Sequence, residues 1–115
     1  KEALDGSYFS NHYSPDDSSP RAKEFVEACR AKYPGETPDG LAAQGFDAAM
    51  VLVDAMGRAK DLSGPALRDA LAATKGFDGV TGNITIDENR NARKPAVVLK
   101  IAAGGKFEFV TRVNP

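Results

Sequence analysis

The chain of 115 residues has one cysteine, no tryptophan and no block of charge of a single sign. A lone Cys29 excludes an intrachain disulfide and any metal cluster built from thiolates, and its simplest role is that of a small buried hydrophobe. The 15 basic and 16 acidic residues give a net charge of -1, so neither nucleic acid nor an anionic membrane is indicated as a partner. The longest apolar run is too short to cross a bilayer.

The sequence also lacks the motifs of most enzymes. It contains no phosphate-binding glycine loop, no serine elbow and no zinc-ligand spacing. His12 lies close in sequence to Asp16 and Asp17, and a His-Asp pair can act as a base with its orienting group. No nucleophile accompanies the pair and all three residues fall in a turn, so a loop histidine is the favoured interpretation. We predict no catalytic residues and no cofactor.

The stretch at residues 87–91 resembles the start of a calcium-binding loop, because oxygen-bearing side chains alternate along it. The pattern fails at Ala92, where an EF-hand loop requires Gly, and at Val98, where it requires Glu. A hairpin turn that uses Asn for left-handed conformations is favoured instead. We therefore predict no metal site.

The longest apolar stretch, residues 42–56, predicts a buried helix that runs from residue 40 to residue 59. Asp39 is its expected N-cap. Its length would be about 30 Å, the width of a small domain. Apolar residues spaced by three and four place one stripe on a single face, and others add apolar surface elsewhere; the stripe comprises Phe46, Ala49, Met50, Val53 and Met56.

Two further helices flank the central one. Ser19 followed by Pro20 predicts a helix over residues 20–32. Its buried stripe is expected to be Phe25, Val26 and Cys29. Ser63 predicts the start of a third helix, which the glycine at position 76 should end.

Strand patterns lie at the two ends of the chain. Residues 6–12 form a short leading strand, and residues 83–87 alternate polar and apolar side chains. The strands at 96–102 and 106–113 flank Gly104 and Gly105 and predict a hairpin. Three helices with so few strands imply an incomplete α/β fold. We expect the chain to be a piece of a longer protein that pairs with a missing segment or with a second copy.

The start of the central helix is the one candidate binding site. It carries small residues and one amide, and a helix N-terminus can face an anionic group of a ligand. The candidate contacts are Leu41, Ala43 and Gln44. The alternative at each of these positions is plain packing of the helix on a sheet.

The order of motifs resembles the C-terminal third of the periplasmic branched-chain amino-acid (Leu/Ile/Val) binding proteins of ABC transporters. Two departures occur: Phe46 stands where that family usually has Tyr, and Arg90 where it commonly has Gly. Four stretches that together cover nearly the whole chain carry the resemblance: NHYSPDD at 11–17 with Pro20 and Phe25, KYPG at 32–35 with Pro38 and Asp39, GFDAA at 45–49, and FDGVTGNITID at 77–87 with Asn89 and GKF at 105–107.

This resemblance implies an α/β, two-lobed type I periplasmic binding protein fold, with helices on a mostly parallel sheet and a C-terminal β-hairpin. Residues 1–19 would hold a strand and a hinge crossing. Residues 20–76 would hold three helices of the first lobe. Residues 77–115 would hold strands, the last crossing and the terminal hairpin. The start of the central helix would lie nearest the ligand cleft, while most ligand contacts would lie upstream.

The function that the resemblance implies is capture of amino acids, branched-chain ones foremost, for an ABC importer, by closure of a cleft without chemistry. The implied partners are an amino-acid ligand and the membrane subunits of the transporter. The location would be the periplasm, or a lipid anchor outside the cell, with a signal peptide on the parent protein. The alternatives are a ligand-sensing domain of a regulator or signalling protein with the same fold, and a small dimerising interaction module.

Overall fold

The structure is a computed structural model, and it describes residues 2–115. Three helices occupy the middle of the chain: α1 (Pro20–Lys32), α2 (Gly40–Arg58) and α3 (Gly64–Ala72). One strand precedes them and five follow: β1 (Tyr8–Asn11), β2 (Phe77–Gly79), β3 (Gly82–Ile86), β4 (Ala92–Arg93), β5 (Ala96–Ala102) and β6 (Lys106–Val113).

Side-chain caps set the start of each of the three α-helices. Each cap accepts a hydrogen bond from the backbone N–H three residues further on, at 2.8 to 3.4 Å, and the caps are Ser19, Asp39 and Ser63. Satisfying an otherwise free N–H stabilises a helix by about 1 kcal/mol. The three predicted starts are therefore confirmed.

The end of α3 differs from the prediction. The helix stops at Ala72, so Lys75 and Gly76 lie beyond it, although Gly76 does have a left-handed φ of 64°. The reason is competition for the backbone. The carbonyl of Thr74 accepts a hydrogen bond from Ile86 N at 3.0 Å, which draws the chain away from the helix axis and into the start of the strands.

The strands form two antiparallel sheets, ordered β1-β5-β6 and β2-β3-β4. The predicted hairpin around Gly104 and Gly105 is confirmed as β5 and β6, and both glycines have a positive φ. Every pairing among the described strands is antiparallel, so these strands do not form the mostly parallel sheet that the resemblance implies. The short strands β2 and β4 were not predicted, because each exists only through its pairing with β3.

The elements divide into two bodies. The helical body comprises α1, α2, α3 and the β2-β3-β4 sheet, and the hairpin sheet comprises β1, β5 and β6. The main contacts between elements lie within one body or the other. Two segments link the bodies: the first crossing, residues 12–19, and the second crossing, residues 94–95.

The shape of the molecule is elongated, with extents of 54 × 33 × 20 Å and a radius of gyration of 16.4 Å. A compact domain of this size would have a radius of gyration of about 13 Å. The accessible surface is 7575 Å², against about 6,100 Å² for a folded monomer of this mass. Much apolar surface therefore remains uncovered.

The core lies inside the helical body, where α1, α2 and the β2–β3 turn meet. It is formed by Tyr13, Phe25, Val26, Ala43 and Val80, with Cys29 packed against it. The predicted stripe of α1 is confirmed at Phe25 and Val26, which are buried, and Cys29 is half-buried.

The predicted buried stripe of α2 is wrong within this chain. Its large side chains are exposed, from 40% at Met50 to 58% at Val53. The face that is buried carries Ala43, Asp47, Val51 and Ala55, spaced by four residues. This face has the smaller side chains, which let α2 approach the β2–β3 turn closely. Of the larger side chains, Phe46 contacts Phe25 of α1, with 5.1 Å between the ring centroids, but each of them remains at least 40% exposed.

Candidate functional site

The start of α2 lies beside the first crossing. A Cβ placed on Gly40 would lie only 3.3 Å from Asn11 Oδ1, so the helix begins in close contact with the end of β1. The carboxylate of Asp39 caps this end through Ala42 N at 2.8 Å. The first turn of α2 therefore sits at the junction of the two bodies.

The three candidate residues have different surroundings. Leu41 is 76% exposed, and Gln44 is half-buried and lines a groove. Ala43 is fully buried within the core. Its methyl group packs against aromatic and branched side chains, so it has no surface open to a ligand. Ligand contact by Leu41, Ala43 and Gln44 stays a prediction, and the burial of Ala43 favours the alternative of plain packing at that position.

The groove beside Gln44 has a volume of about 440 Å³ and lies between α2 and the β3–β4 strands. Most of its lining is apolar, which suits an apolar occupant with few polar groups. Its polar groups are Gln44, Asp47, Thr81 and Lys94, and its apolar lining is Ala48, Val51, Ile84, Ile86 and Ala92.

Asp47 connects α2 to the β2–β3 turn. One carboxylate oxygen accepts a hydrogen bond from Val80 N at 2.7 Å. The other accepts from Thr81 N at 2.8 Å and from Thr81 Oγ1 at 2.7 Å. The residue is only 3% exposed. A buried carboxylate is tolerated where hydrogen bonds replace its water, and here three of them do so.

Gly79 allows this contact. A Cβ at that position would lie 2.8 Å from Asp47 Oδ2, closer than real Cβ atoms come. Two of the sequence motifs, GFDAA at 45–49 and FDGVTGNITID at 77–87, therefore meet through Asp47. Sequence analysis missed this role. The available signal was an acidic residue amid the apolar residues of the central helix, but Asp54 on the same helix gives the same signal and is exposed.

Lys94 contributes a second buried charge at the groove. Its Nζ atom has no hydrogen-bond partner among the described residues. Burial lowers the pKa of Lys94; the nearby Asp47 carboxylate opposes this shift, and Arg112 adds to it. The groove thus holds a cation that an acidic group could pair with.

Burial also shifts the pKa of Tyr13, which lies in the core. Burial, with a further effect of the Cys29 thiol, raises its pKa to about 12. Its hydroxyl has no partner among the described residues. The side chain therefore acts as a core aromatic, in edge contact with Phe25 at 6.2 Å between ring centroids.

The structure does not assemble the weaker candidates into a site. His12 is exposed, and the Asp17 carboxylate bonds Arg112 and Ser19 N rather than an imidazole. In the turn after β3, Asp87 accepts hydrogen bonds from Asn89 N and Asn91 N. Within residues 2–115 no group of three His, Cys, Asp or Glu could hold a metal ion.

The turn after β3 differs in one detail from the prediction. Its left-handed residue is Arg90, with a φ of 67°, rather than an asparagine. Position 90 is where the resembling family commonly has Gly, which adopts this conformation without strain.

Comparison with protein families decides the fold. A sequence profile described as Periplasmic binding protein matches residues 1–106. The chain belongs to the periplasmic binding protein family. Solved structures of this family superpose on nearly the whole chain, so the α/β, type I periplasmic binding protein fold class is confirmed.

Three solved members of the family illustrate the likeness. A leucine-binding protein from Thermotoga maritima is 41% identical over 99% of this chain, with a TM-score of 0.83. A branched-chain amino-acid transporter substrate-binding protein from Streptococcus pneumoniae, in complex with isoleucine, is 36% identical over 94% of the chain, with a TM-score of 0.79. An ABC-transporter substrate-binding protein from Desulfitobacterium hafniense, in complex with Leu, is 30% identical over 95%, with a TM-score of 0.82.

The chain spans about a third of these binding proteins, from 30% to 32% of their length. A comparison with curated protein sequences finds no match. Among the helices of residues 2–115, none is long and apolar enough to cross a membrane.

Proposed function

We propose that this chain is the C-terminal third of a solute-binding protein that captures amino acids, branched-chain ones foremost, for an ABC importer. Family membership supports the proposal, as do the leucine and isoleucine named for three related structures. Binding proteins of this kind work by closure around a ligand and carry out no chemistry. The protein would act in the periplasm, or attached outside the cell by a lipid anchor.

The observation that carries the proposal is the division into two bodies. The helical body would belong to the first lobe and the hairpin sheet to the second, with residues 12–19 and 94–95 as hinge crossings. Hinge closure is typical of periplasmic binding proteins and needs few residues to change conformation. The start of α2 lies beside the first crossing, where a closing cleft would reach it.

Two side chains at the start of α2 would contact the ligand. Leu41 is largely exposed and would cover part of an apolar side chain, while the amide of Gln44 would hydrogen-bond a polar group. The positive end of α2 favours an anionic group nearby. Contacts to the ligand ammonium and carboxylate would come from the other two thirds of the protein.

The exposed faces of α2 would be covered by that remaining part. Five large apolar side chains of this helix are between 40% and 58% exposed: Phe46, Met50, Leu52, Val53 and Met56. Covering such side chains stabilises a fold by about 1.5–3 kcal/mol each. Alternatively, a second copy of the chain would cover these faces, and the chain would then be a dimerising module.

Calorimetry of the whole protein against leucine, isoleucine, valine and aromatic acids tests the function. Absence of heat with every small amino or organic acid would refute transport. Leu41→Ala should weaken binding about tenfold, because truncation loses roughly 1–2 kcal/mol of apolar contact. Leu62→Ala is the matched control. Leu62 is also exposed, but it follows the C-terminal end of α2, and the helix is about 27 Å long.

Sedimentation of the 115-residue chain tests the covering of α2. We expect self-association and no measurable leucine binding by the chain alone. A stable monomer would contradict the need for a cover, and saturable leucine binding would contradict the assignment of the main contacts to the rest of the protein.

A further inference from the structure

An ion pair joins the two bodies at their crossings. Arg112 lies near the end of β6 in the hairpin sheet, and its Nη2 donates to Asp17 Oδ2 in the first crossing. The side chains of Asp17 and Arg112 are 7% and 26% exposed, so solvent screens the pair only partly. Among the described residues, the only other side-chain hydrogen bond between the hairpin sheet and the first crossing joins neighbours in sequence, from His12 N to Asn11 Oδ1.

Asp17 is held rigidly on the helical side. Its second oxygen accepts a hydrogen bond from Ser19 N at 2.9 Å, and its own N–H donates to Ser14 O at 3.2 Å. Ser19 is also the N-cap of α1. A force on the carboxylate would therefore be transmitted to the start of α1.

Arg112 is enclosed where the crossings meet. A Cβ on Gly82 would lie 2.9 Å from Arg112 Nη1 and 2.9 Å from Pro95 Cδ. Gly82 begins β3 and Pro95 belongs to the second crossing. One guanidinium thus contacts the first crossing, lies beside the second, and faces the sheet of the helical body.

Further charges surround this junction. Lys94 in the second crossing is influenced by both Asp47 and Arg112. Asp17 is the carboxylate paired with Arg112. The pair opposes the charge repulsion that Lys94 and Arg112 exert on each other.

We propose that Asp17 and Arg112 form a clasp that fixes the angle between the helical body and the hairpin sheet. The two bodies share few other contacts, so one partly buried ion pair has a large share in restraining their motion. If the proposed function holds, the clasp would also set the balance between the open and closed forms of the binding protein.

Distances between spin labels on the two bodies test the clasp, with doubly labelled chain diluted in an excess of unlabelled chain so that only distances within one molecule are measured. In a Cys29→Ser background, Glu27→Cys places one label on α1 and Glu108→Cys places the other on β6, both at exposed positions. We expect Asp17→Asn and Arg112→Gln each to widen the distance distribution at least twofold. The double swap Asp17→Arg with Arg112→Asp should restore only part of the original width, because an arginine at position 17 cannot accept the hydrogen bond from Ser19 N.

Arg21→Gln is the matched control, because it breaks the exposed Arg21–Asp78 ion pair inside the helical body and should leave the width unchanged. If Arg112→Gln loses the circular dichroism signal of its helices, Arg112→Lys replaces it. The distance distribution of Arg112→Lys should then be wider than that of the starting chain and narrower than that of Asp17→Asn.

Equal widths for the starting chain and the clasp variants would overturn the proposal, and so would a starting chain already as broad as Asp17→Asn. The distances are measured without ligand. If the protein binds no amino acid, the proposed function fails but the measured effect of the clasp variants remains. If the protein binds leucine and the clasp variants leave the widths unchanged, only the clasp proposal fails.

Discussion

Removal of the Asp47 carboxylate is the sharpest test of how the helical body is held together. Asp47→Ala leaves two backbone N–H groups and one hydroxyl without their acceptor, at Val80 and Thr81. A buried donor left without a partner costs about 1–3 kcal/mol. Water entering the adjoining groove would satisfy some of these donors, so we expect a loss of about 3–5 kcal/mol rather than the full sum.

Asp47→Asn keeps the shape of the side chain but removes its charge and replaces one acceptor oxygen with an NH₂ group. If its amide oxygen faces Thr81, two of the three hydrogen bonds are kept, while the NH₂ group is turned toward Val80 N. The expected loss is about 1–3 kcal/mol, the cost of one unsatisfied donor. The variants should therefore rank Asp47→Ala below Asp47→Asn in stability.

Urea unfolding followed by circular dichroism at the helix band measures both losses, because the chain has no tryptophan. Asp54→Ala serves as the control on the same helix. Its carboxylate is 41% exposed and pairs with Arg58, so the expected loss is only about 0.3–0.5 kcal/mol. An Asp47→Ala protein that loses no more than this control would refute the reasoning.

Three further substitutions follow from buried or strained groups. Tyr13→Phe removes a buried hydroxyl without a partner and should stabilise the fold at pH 7 by up to about 1 kcal/mol in urea unfolding. Because the folded-state pKa of Tyr13 is raised to about 12 from 10.0, the starting chain should lose stability between pH 10 and 12, and Tyr13→Phe should lose less; equal losses would contradict this. Lys94→Met removes an amine whose pKa burial lowers, so the melting temperature of this variant should exceed that of the starting chain at pH 7. The difference in melting temperature should narrow as the pH rises toward 10.5. A constant difference would exclude the lysine charge as the cause. Arg90→Gly relieves a left-handed φ of 67° and should stabilise by about 0.5–1 kcal/mol, whereas Glu88→Gly in the same turn should not.

Local signals were sufficient for the helix starts and the terminal hairpin. Ser19, Asp39 and Ser63 each cap a backbone N–H three residues away, so the information lies within one turn of chain. The hairpin likewise depends on Gly104 and Gly105 between two alternating segments. Such features need no knowledge of the rest of the molecule.

Contacts between distant residues could not be derived in this way. Periodicity places Met50 and Val53 on a common face of α2, but which face is buried depends on the elements that pack there. Asp47 and Thr81 are 34 residues apart, and Asp17 and Arg112 are 95 apart. For the candidate site, the resemblance put the start of α2 nearest the ligand cleft, but the sequence did not reveal that Ala43 belongs to the core.

The contact of Asp47 with the turn also determines which substitutions that turn accepts. Two of the three donors are main-chain N–H groups, which every amino acid except proline supplies. A saturation library at position 80 should therefore keep the hydrogen bond in every variant but Pro, with tolerance graded by how well each side chain fills the core. Position 79 should accept glycine alone, because any Cβ there displaces the carboxylate.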